Sequence, residues 1–437
     1  MRVQKIRSIL AWTVVVLLVI SGAYYGLVKV GFLPAPGFMG KQPASMPAPA
    51  ETRDGRWQQA IEYLGSQLPY LHVDPYFKIG EAEFQQSVAR LAENVPDLND
   101  EQLTVGVMKI VASLGDGHTR AYSRPGLARL PLEMRWLSDG LVVTAASSEY
   151  AQAVGAKVVR VGAHPVGEVY DAVEPLIAAD NEMQVLNDTA VYMGMPAILY
   201  GLDLIPQKDR VTFSFEAQDG SQFDLELLPV SGDPGSFTSV YEKAGVRPPL
   251  YEQDRRSYYW FRDLSESNAV YVQYNVCDNQ KGKTFRSFVD EVFALVDRGQ
   301  EARLVLDLRF NGGGNENVIK PLIEALKSRP AFARPGRLFV IIGRATYSSA
   351  LQNAITLNRE HYATLIGEPT GGKPNHYGEV RQLDLPNVGM RVQYSTRYWL
   401  NYPEGDPLTL EPDVTTTIAT ADLLAGRDPA LEAALQP

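Results

Sequence analysis

Two neighbouring serines, a histidine, a lysine and a run of glycines are the residues of this chain whose types and spacing suit chemistry. Ser348 and Ser349 follow an apolar stretch at 337–342 and the turn Gly343-Arg344-Ala345-Thr346-Tyr347, and they precede a helical pattern. A serine there sits at a helix N-terminus, where unpaired N–H groups and the helix dipole favour negative charge. A serine hydroxyl is a weak nucleophile near neutral pH and needs a base within hydrogen-bond reach. The same position also suits an ordinary helix cap. Upstream, an apolar stretch at 304–308 runs through Arg309 into Asn311 and Gly312-Gly313-Gly314. Glycines after a strand leave backbone N–H groups unblocked, so those of Gly312 or Gly313, with that of Ser349, are candidates to hold a developing oxyanion. Two bases are open. His118 lies just past the tight turn Gly115-Asp116-Gly117, which fixes its place and leaves its ring exposed. A histidine of ordinary pKa, ~6.5, accepts a proton without special burial, and activity resting on it would rise through about pH 6–7. Lys373 ends a third strand, turn and glycine unit. A lysine serves as base only when burial lowers its pKa.

The elements that must position these residues are legible as patterns. Residues 268–400 alternate strands, at 269–274, 303–308, 337–342 and 363–367, with helices near 285–296, 317–326 and 349–357. That alternation implies βαβ units and a mainly parallel sheet. A further strand is expected at 391–399, and a helical appendix from Asp422 on. Residues 55–114 carry three apolar stripes at helical spacing, the third opened by Asn99 and Gln102 as a cap. Residues 131–230 mix short strands with one helix, and Asp219-Gly220 marks a hairpin. Residues 233–267 read as an irregular connection.

The motifs DLRFNGGGN, RATYSSA and GEPTGGK, with LGDGHT at 114–119, resemble those of the C-terminal processing (tail-specific) serine peptidases, and the tricorn-like branch is the nearest match. The resemblance implies an α/β fold: a ClpP/crotonase-like catalytic core at 233–437, a helical N-terminal domain at 55–130 and a PDZ-like module at 131–232. It implies Ser348 as nucleophile, with Ser349 as fallback, and His118 as base. Lys373, at a spacing similar to the Ser–Lys dyad of the bacterial branch, is the rival base. It also implies an acid six residues before a Pro-Asp pair to orient the histidine; Pro412-Asp413 places that acid at Asp406, with Glu404 beside it. His376, His361 and His72 read as surface or structural residues. A PDZ-like module can add a peptide as an extra strand, though no Gly-Leu-Gly-Phe carboxylate loop is present.

Composition bounds the alternatives. A net charge of −10 leaves no basic excess for nucleic acid. Cys277 is the only cysteine, so no intrachain disulfide or cysteine-rich metal site can form. The histidines have no paired ligand spacing, and the glycines do not make a dinucleotide fingerprint, so neither metal nor cofactor is expected. Residues 1–30 place Arg2, Lys5 and Arg7 before an uncharged run that ends near Lys29. This reads as one N-terminal transmembrane signal-anchor or a cleaved signal peptide, with the body outside the cytoplasm, in the periplasm or tethered to the cell membrane. Residues 31–54 are a proline-rich linker. The expected protein is a serine endopeptidase acting on polypeptide. The alternative is a catalytically silent protein of the same fold that binds peptides or apolar ligands.

Overall fold

A computed structural model describes residues 41–124, 126–232, 235–298 and 303–436. The expected signal or anchor segment lies outside the described residues, and among these no helix is long and apolar enough to cross a membrane. Three helices come first: α1 (Arg53–Leu71), α2 (Glu81–Glu93) and α3 (Asp100–Ala112). α1 buries Trp57, Ile61, Leu64 and Leu68, one stripe at helical spacing. α3 begins at a capping box: Asn99 accepts from the Gln102 N–H and the Gln102 side chain accepts from the Asn99 N–H. Its exit turns at Gly115, with φ +71°, into β1 (Arg120–Ser123).

The middle of the chain is an antiparallel sheet of β2 (Leu132–Leu137), β3 (Gly140–Ser147), β4 (Lys157–Val161), β5 (Val211–Glu216) and β6 (Gln222–Leu227), side by side in that order. The β5–β6 hairpin turns at Asp219-Gly220, where Gly220 has φ +82°. Helices α4 (Val166–Val173) and α5 (Glu182–Tyr192) close one core with the sheet, in which Val158, Phe213, Val169 and Val185 meet.

The last part is a second sheet. β7 (Tyr259–Leu264) runs antiparallel to β8 (Ala269–Tyr274), and β9 (Arg303–Asp307), β10 (Leu338–Ile342) and β11 (Thr364–Gly367) follow in parallel. β7 falls where an irregular connection was expected; it pairs along the whole of β8, its aromatic run Tyr259-Trp260-Phe261 against Tyr274, Gln273 and Val272. β12 (His376–Leu385) and β13 (Met390–Trp399) form a long hairpin that takes β1 as its third strand, and the short β14 (Val414–Thr415) adds to β11. The central strands are buried on both faces, which is why they read as unbroken apolar runs. On one face α6 (Phe285–Val296), α7 (Lys320–Lys327) and α8 (Ser348–His361) pack Phe288, Val292, Leu322 and Leu351 onto Val272, Leu306 and Val340. On the other, α9 (Pro429–Leu435) sets Ala430 and Ala434 against Tyr271, Val305 and Ile341.

The C-terminal segment is therefore part of the core and not an appendix. Asp428 caps α9 and makes two hydrogen bonds with Arg309, at 3.0 and 2.9 Å. Arg309 also grips Asp307 at 2.9 Å and lies 4.2 Å from the Tyr251 ring, and all three charges are buried. Removing the cation would leave two buried carboxylates facing each other. Arg309→Met is therefore expected to destabilise the protein by about 3–5 kcal/mol in chemical denaturation, while Arg286→Met, which breaks an exposed pair with Glu324, should cost under about 1 kcal/mol.

Candidate active site

The turn between β10 and α8 is held from three sides. The Thr346 hydroxyl donates to the Leu308 carbonyl at 2.9 Å and accepts from the Gly343 N–H at 3.0 Å. The Tyr347 N–H donates to the Asn311 carbonyl, 3.0 Å, and the Gly372 N–H to the Thr346 carbonyl, 3.2 Å. Ser348, first residue of α8, is forced to φ +51°. That left-handed conformation costs a residue with a Cβ roughly 1–2 kcal/mol, and such strain gathers where side chains must be presented. The two serines separate here. The Ser349 hydroxyl is committed to the Gly314 carbonyl at 2.7 Å, whereas the Ser348 hydroxyl has no hydrogen-bond partner among the described residues.

The glycine run lies against this turn. A Cβ on Gly313 would sit 2.8 Å from the Ser348 Cβ and 3.0 Å from the Ser349 nitrogen, and Gly313 has φ +105°. Its own N–H turns inward to the Asn311 side chain at 2.9 Å, so it is not presented to an oxyanion as expected. The N–H groups of Gly312 and Ser349 have no partner among the described residues; Ser349 is in the first turn of α8, where N–H groups lack helical acceptors.

His118 differs from the exposed ring that its turn suggested. It is 7% exposed, and its Nδ1 lies 3.1 Å from the Tyr347 hydroxyl, the side chain next in sequence to Ser348. Its Nε2 is buried with no partner among the described residues. The ring is stacked on His376, centroids 5.2 Å apart, so His376 belongs to this site and not to the surface. Burial, followed by the neighbouring His376, pulls His118 down to about 3. The imidazole is thus neutral across the ordinary pH range, and an activity change near pH 6–7 cannot come from its titration. Asp116 anchors the segment: its carboxylate accepts from the His118 N–H, the Thr119 hydroxyl and His72. Burial would raise its pKa, but the His72 hydrogen bond and its companions outweigh that and hold it at about 2.

Lys373 and Asp406 are brought together, but with each other. The Lys373 ammonium donates to Asp406 at 2.6 Å, and Asn375 reaches the second carboxylate oxygen at 3.3 Å. Asp406 is thus not hydrogen-bonded to His118, and an ammonium donating into a carboxylate offers no lone pair to a serine. Glu404 pairs with Arg359. The side chains that do reach His118 were not singled out in sequence. Tyr347 touches it directly and donates to Asp180 at 3.1 Å, and Asp180 also accepts from the Gly117 N–H at 2.9 Å. Asp180 precedes the α5 cap Asn181, and no spacing signal links it to a histidine 62 positions earlier. A cavity of about 800 Å³, lined by none of these residues, opens between the strand ends at Phe310 and Arg344, edge strand β2 at Met134 and Trp136, and α5 at Asn187 and Val191.

No protein-family model and no curated protein matches the sequence. Solved structures do match. Mature CPAF complexed with lactacystin superposes with a TM-score of 0.60 at 12% identity, over 87% of this chain and 97% of that one. Mature CPAF alone gives 0.59 at 13% identity, over 87% and 96%. The chain has the CPAF fold. A photosystem II D1 C-terminal processing protease aligns more loosely, with a TM-score of 0.38 at 17% identity over 84% of this chain and 93% of that one. The mixed α/β fold is the one the sequence motifs implied. Adding a single methyl group tests the close approach on which the site is built. Gly313→Ala should keep the helical and sheet content, by circular dichroism, and slow labelling of Ser348 by a fluorophosphonate about 10–100-fold, since a displaced reacting atom loses that much.

Proposed function

We propose that this chain is a serine peptidase that cleaves polypeptide through a Ser348 acyl-enzyme, with His118 as base. The observation that supports it best is the pairing of a strained Ser348, its hydroxyl unpartnered, with a buried, neutral His118 whose Nε2 is bare. Nε2 takes the Ser348 proton as the hydroxyl oxygen attacks a peptide carbonyl. The N–H groups of Gly312 and Ser349 stabilise the resulting oxyanion. Nε2 then returns its proton to the leaving amine, and water repeats the sequence to free the enzyme. No hydrogen bond joins His118 and Ser348 among the described residues; such bonds tighten once substrate is bound. The tricorn-like assignment, Ser–His rather than Ser–Lys, agrees with the Lys373–Asp406 ion pair. Lys373 then serves to charge the cleft.

The cavity beside β2 suits an extended segment of substrate. β2 is an edge strand, its Trp136 carbonyl taken by Arg344 at 2.8 Å, and an extended peptide can pair with the rest of such an edge. The basic residues and apolar run near the N-terminus favour a body held outside the cytoplasm; recovery of the intact chain in membranes after alkaline wash is the result expected of an anchor.

The mechanism is tested by peptide hydrolysis. Ser348→Ala and His118→Ala should each lower kcat by several orders of magnitude, because members of such a unit act together. Lys373→Ala should cost only ~10–100-fold, as a binding or charge effect does. A dead Lys373→Ala beside an active His118→Ala would restore the Ser–Lys dyad. The docking role is tested separately: Asn187→Trp, an exposed change that fills the cavity, should raise KM for long peptides about tenfold and leave fluorophosphonate labelling of Ser348 unchanged.

A further inference from the structure

We propose that Asp180 is a positioning residue for His118, acting through Tyr347: its ionised carboxylate fixes the imidazole in the tautomer that carries its proton on Nδ1 and leaves Nε2 bare. The inference rests on reading His118 as the base, and it assigns the orienting role expected of Asp406 to a different carboxylate on a different element. The number of available protons decides the tautomer. Tyr347 has one hydroxyl hydrogen and two neighbours, Asp180 Oδ2 and His118 Nδ1, each at 3.1 Å. An ionised carboxylate only accepts, so the hydroxyl hydrogen goes to Asp180. The phenol oxygen then faces Nδ1 with a lone pair, and Nδ1 must bring the hydrogen. Nε2 is left as the acceptor. If Asp180 becomes neutral the chain reverses: the acid donates to the phenol oxygen, the hydroxyl donates to Nδ1, and the imidazole hydrogen moves to Nε2. A protonated Nε2 cannot take a proton from Ser348.

The surroundings hold this chain in register. Gly117 has no room for a side chain: a Cβ there would lie 2.3 Å from the Tyr347 hydroxyl oxygen, 2.6 Å from Gln184 Oε1 and 2.9 Å from the Asp180 carboxyl carbon. Gln184 accepts from the Asp180 N–H at 3.0 Å and donates to the Ala178 carbonyl at 3.1 Å. The groups facing Asp180 are the Asp116 carboxylate, the Tyr347 hydroxyl, the main-chain N–H groups of Gly117 and Lys373, and the Arg120 guanidinium nearby. His376 stacks on His118, centroids 5.2 Å apart. Burial, with the repulsion of Asp116 second, pushes Asp180 up to about 6. The carboxylate is therefore ionised above that value and neutral below it, so an acid limb of activity near pH 6 belongs to Asp180. His118, held near 3, does not titrate there.

The full chain, labelled with ¹⁵N at histidine, reads the tautomer directly. At pH 7.5 the His118 shifts should report a hydrogen on Nδ1 and none on Nε2. Asp180→Asn keeps the shape and turns an amide N–H toward Tyr347, because its oxygen still accepts from the Gly117 N–H. In that variant the hydrogen should move to Nε2, kcat should fall about 10–100-fold, and the acid limb near pH 6 should vanish. Tyr347→Phe removes the relay and should leave both tautomers populated. A wild-type imidazole protonated on Nε2, or an Asp180→Asn variant that keeps both the wild-type tautomer and the wild-type pH profile, overturns the proposal. The tautomer is read without turnover. An inactive wild type would therefore sink the peptidase reading, while the shifts alone still decide the positioning role.

Discussion

Everything at the candidate site depends on how closely two stretches of backbone approach one another: the glycine loop after β9 and the turn into α8. With no Cβ at Gly313, the loop can press against Ser348 and Ser349. The contact does three things at once. It leaves the N–H groups of Gly312 and Ser349 open, it ties the Ser349 hydroxyl to Gly314, and it leaves the Ser348 hydroxyl as the unclaimed one. The strain at Ser348 is sustained because Thr346 and Asn311 bind the turn to both neighbouring strand ends. A single extra methyl group would be felt by all of these at once, since packed backbone has no slack to absorb it.

The second constraint is electrostatic. The site gathers two carboxylates, three imidazoles, a phenol and a guanidinium, most of them buried. Burial drives their pKa values apart instead of leaving them alike. Asp116, which receives hydrogen bonds from His72 and Thr119, stays ionised. Asp180, beside that negative charge, is pushed toward the neutral form. His118, desolvated and stacked on a second imidazole, stays neutral. Two carboxylates in one pocket are thus given different tasks by their surroundings, one as a fixed anchor and one as an adjustable neighbour.

Local patterns reveal what local physics decides. The βαβ alternation, the Asn99–Gln102 capping box and the Asp219-Gly220 hairpin were all legible because propensity, capping and turn chemistry act within a few residues. The serine turn and the glycine loop were legible for the same reason. What escaped depends on tertiary contact. β12 alternates polar residues and gains its strand character from pairing with β13 and, through it, β1. The C-terminal helix reads as a loose tail until Asp428 is seen against Arg309. Asp180 lies between a loop and a helix cap, and only the packing of α5 brings it to Tyr347. Asp406 had a family spacing in its favour, yet the nearest cation in space, Lys373, claims it.

His118 and Tyr347 touch across 229 positions of sequence. β1, which carries the histidine's segment, is sheeted only with β13, near residue 390, and α9 at the far end seals the core under β9 and β10. A chain still being made therefore has its imidazole long before it has a partner for it, and the partner before the strand that holds the two in place. The candidate site is complete only once β13 and α9, both beyond residue 389, have folded back onto earlier elements. A fragment that stops short of β13 keeps both side chains and has neither the strand nor the helix that fix them.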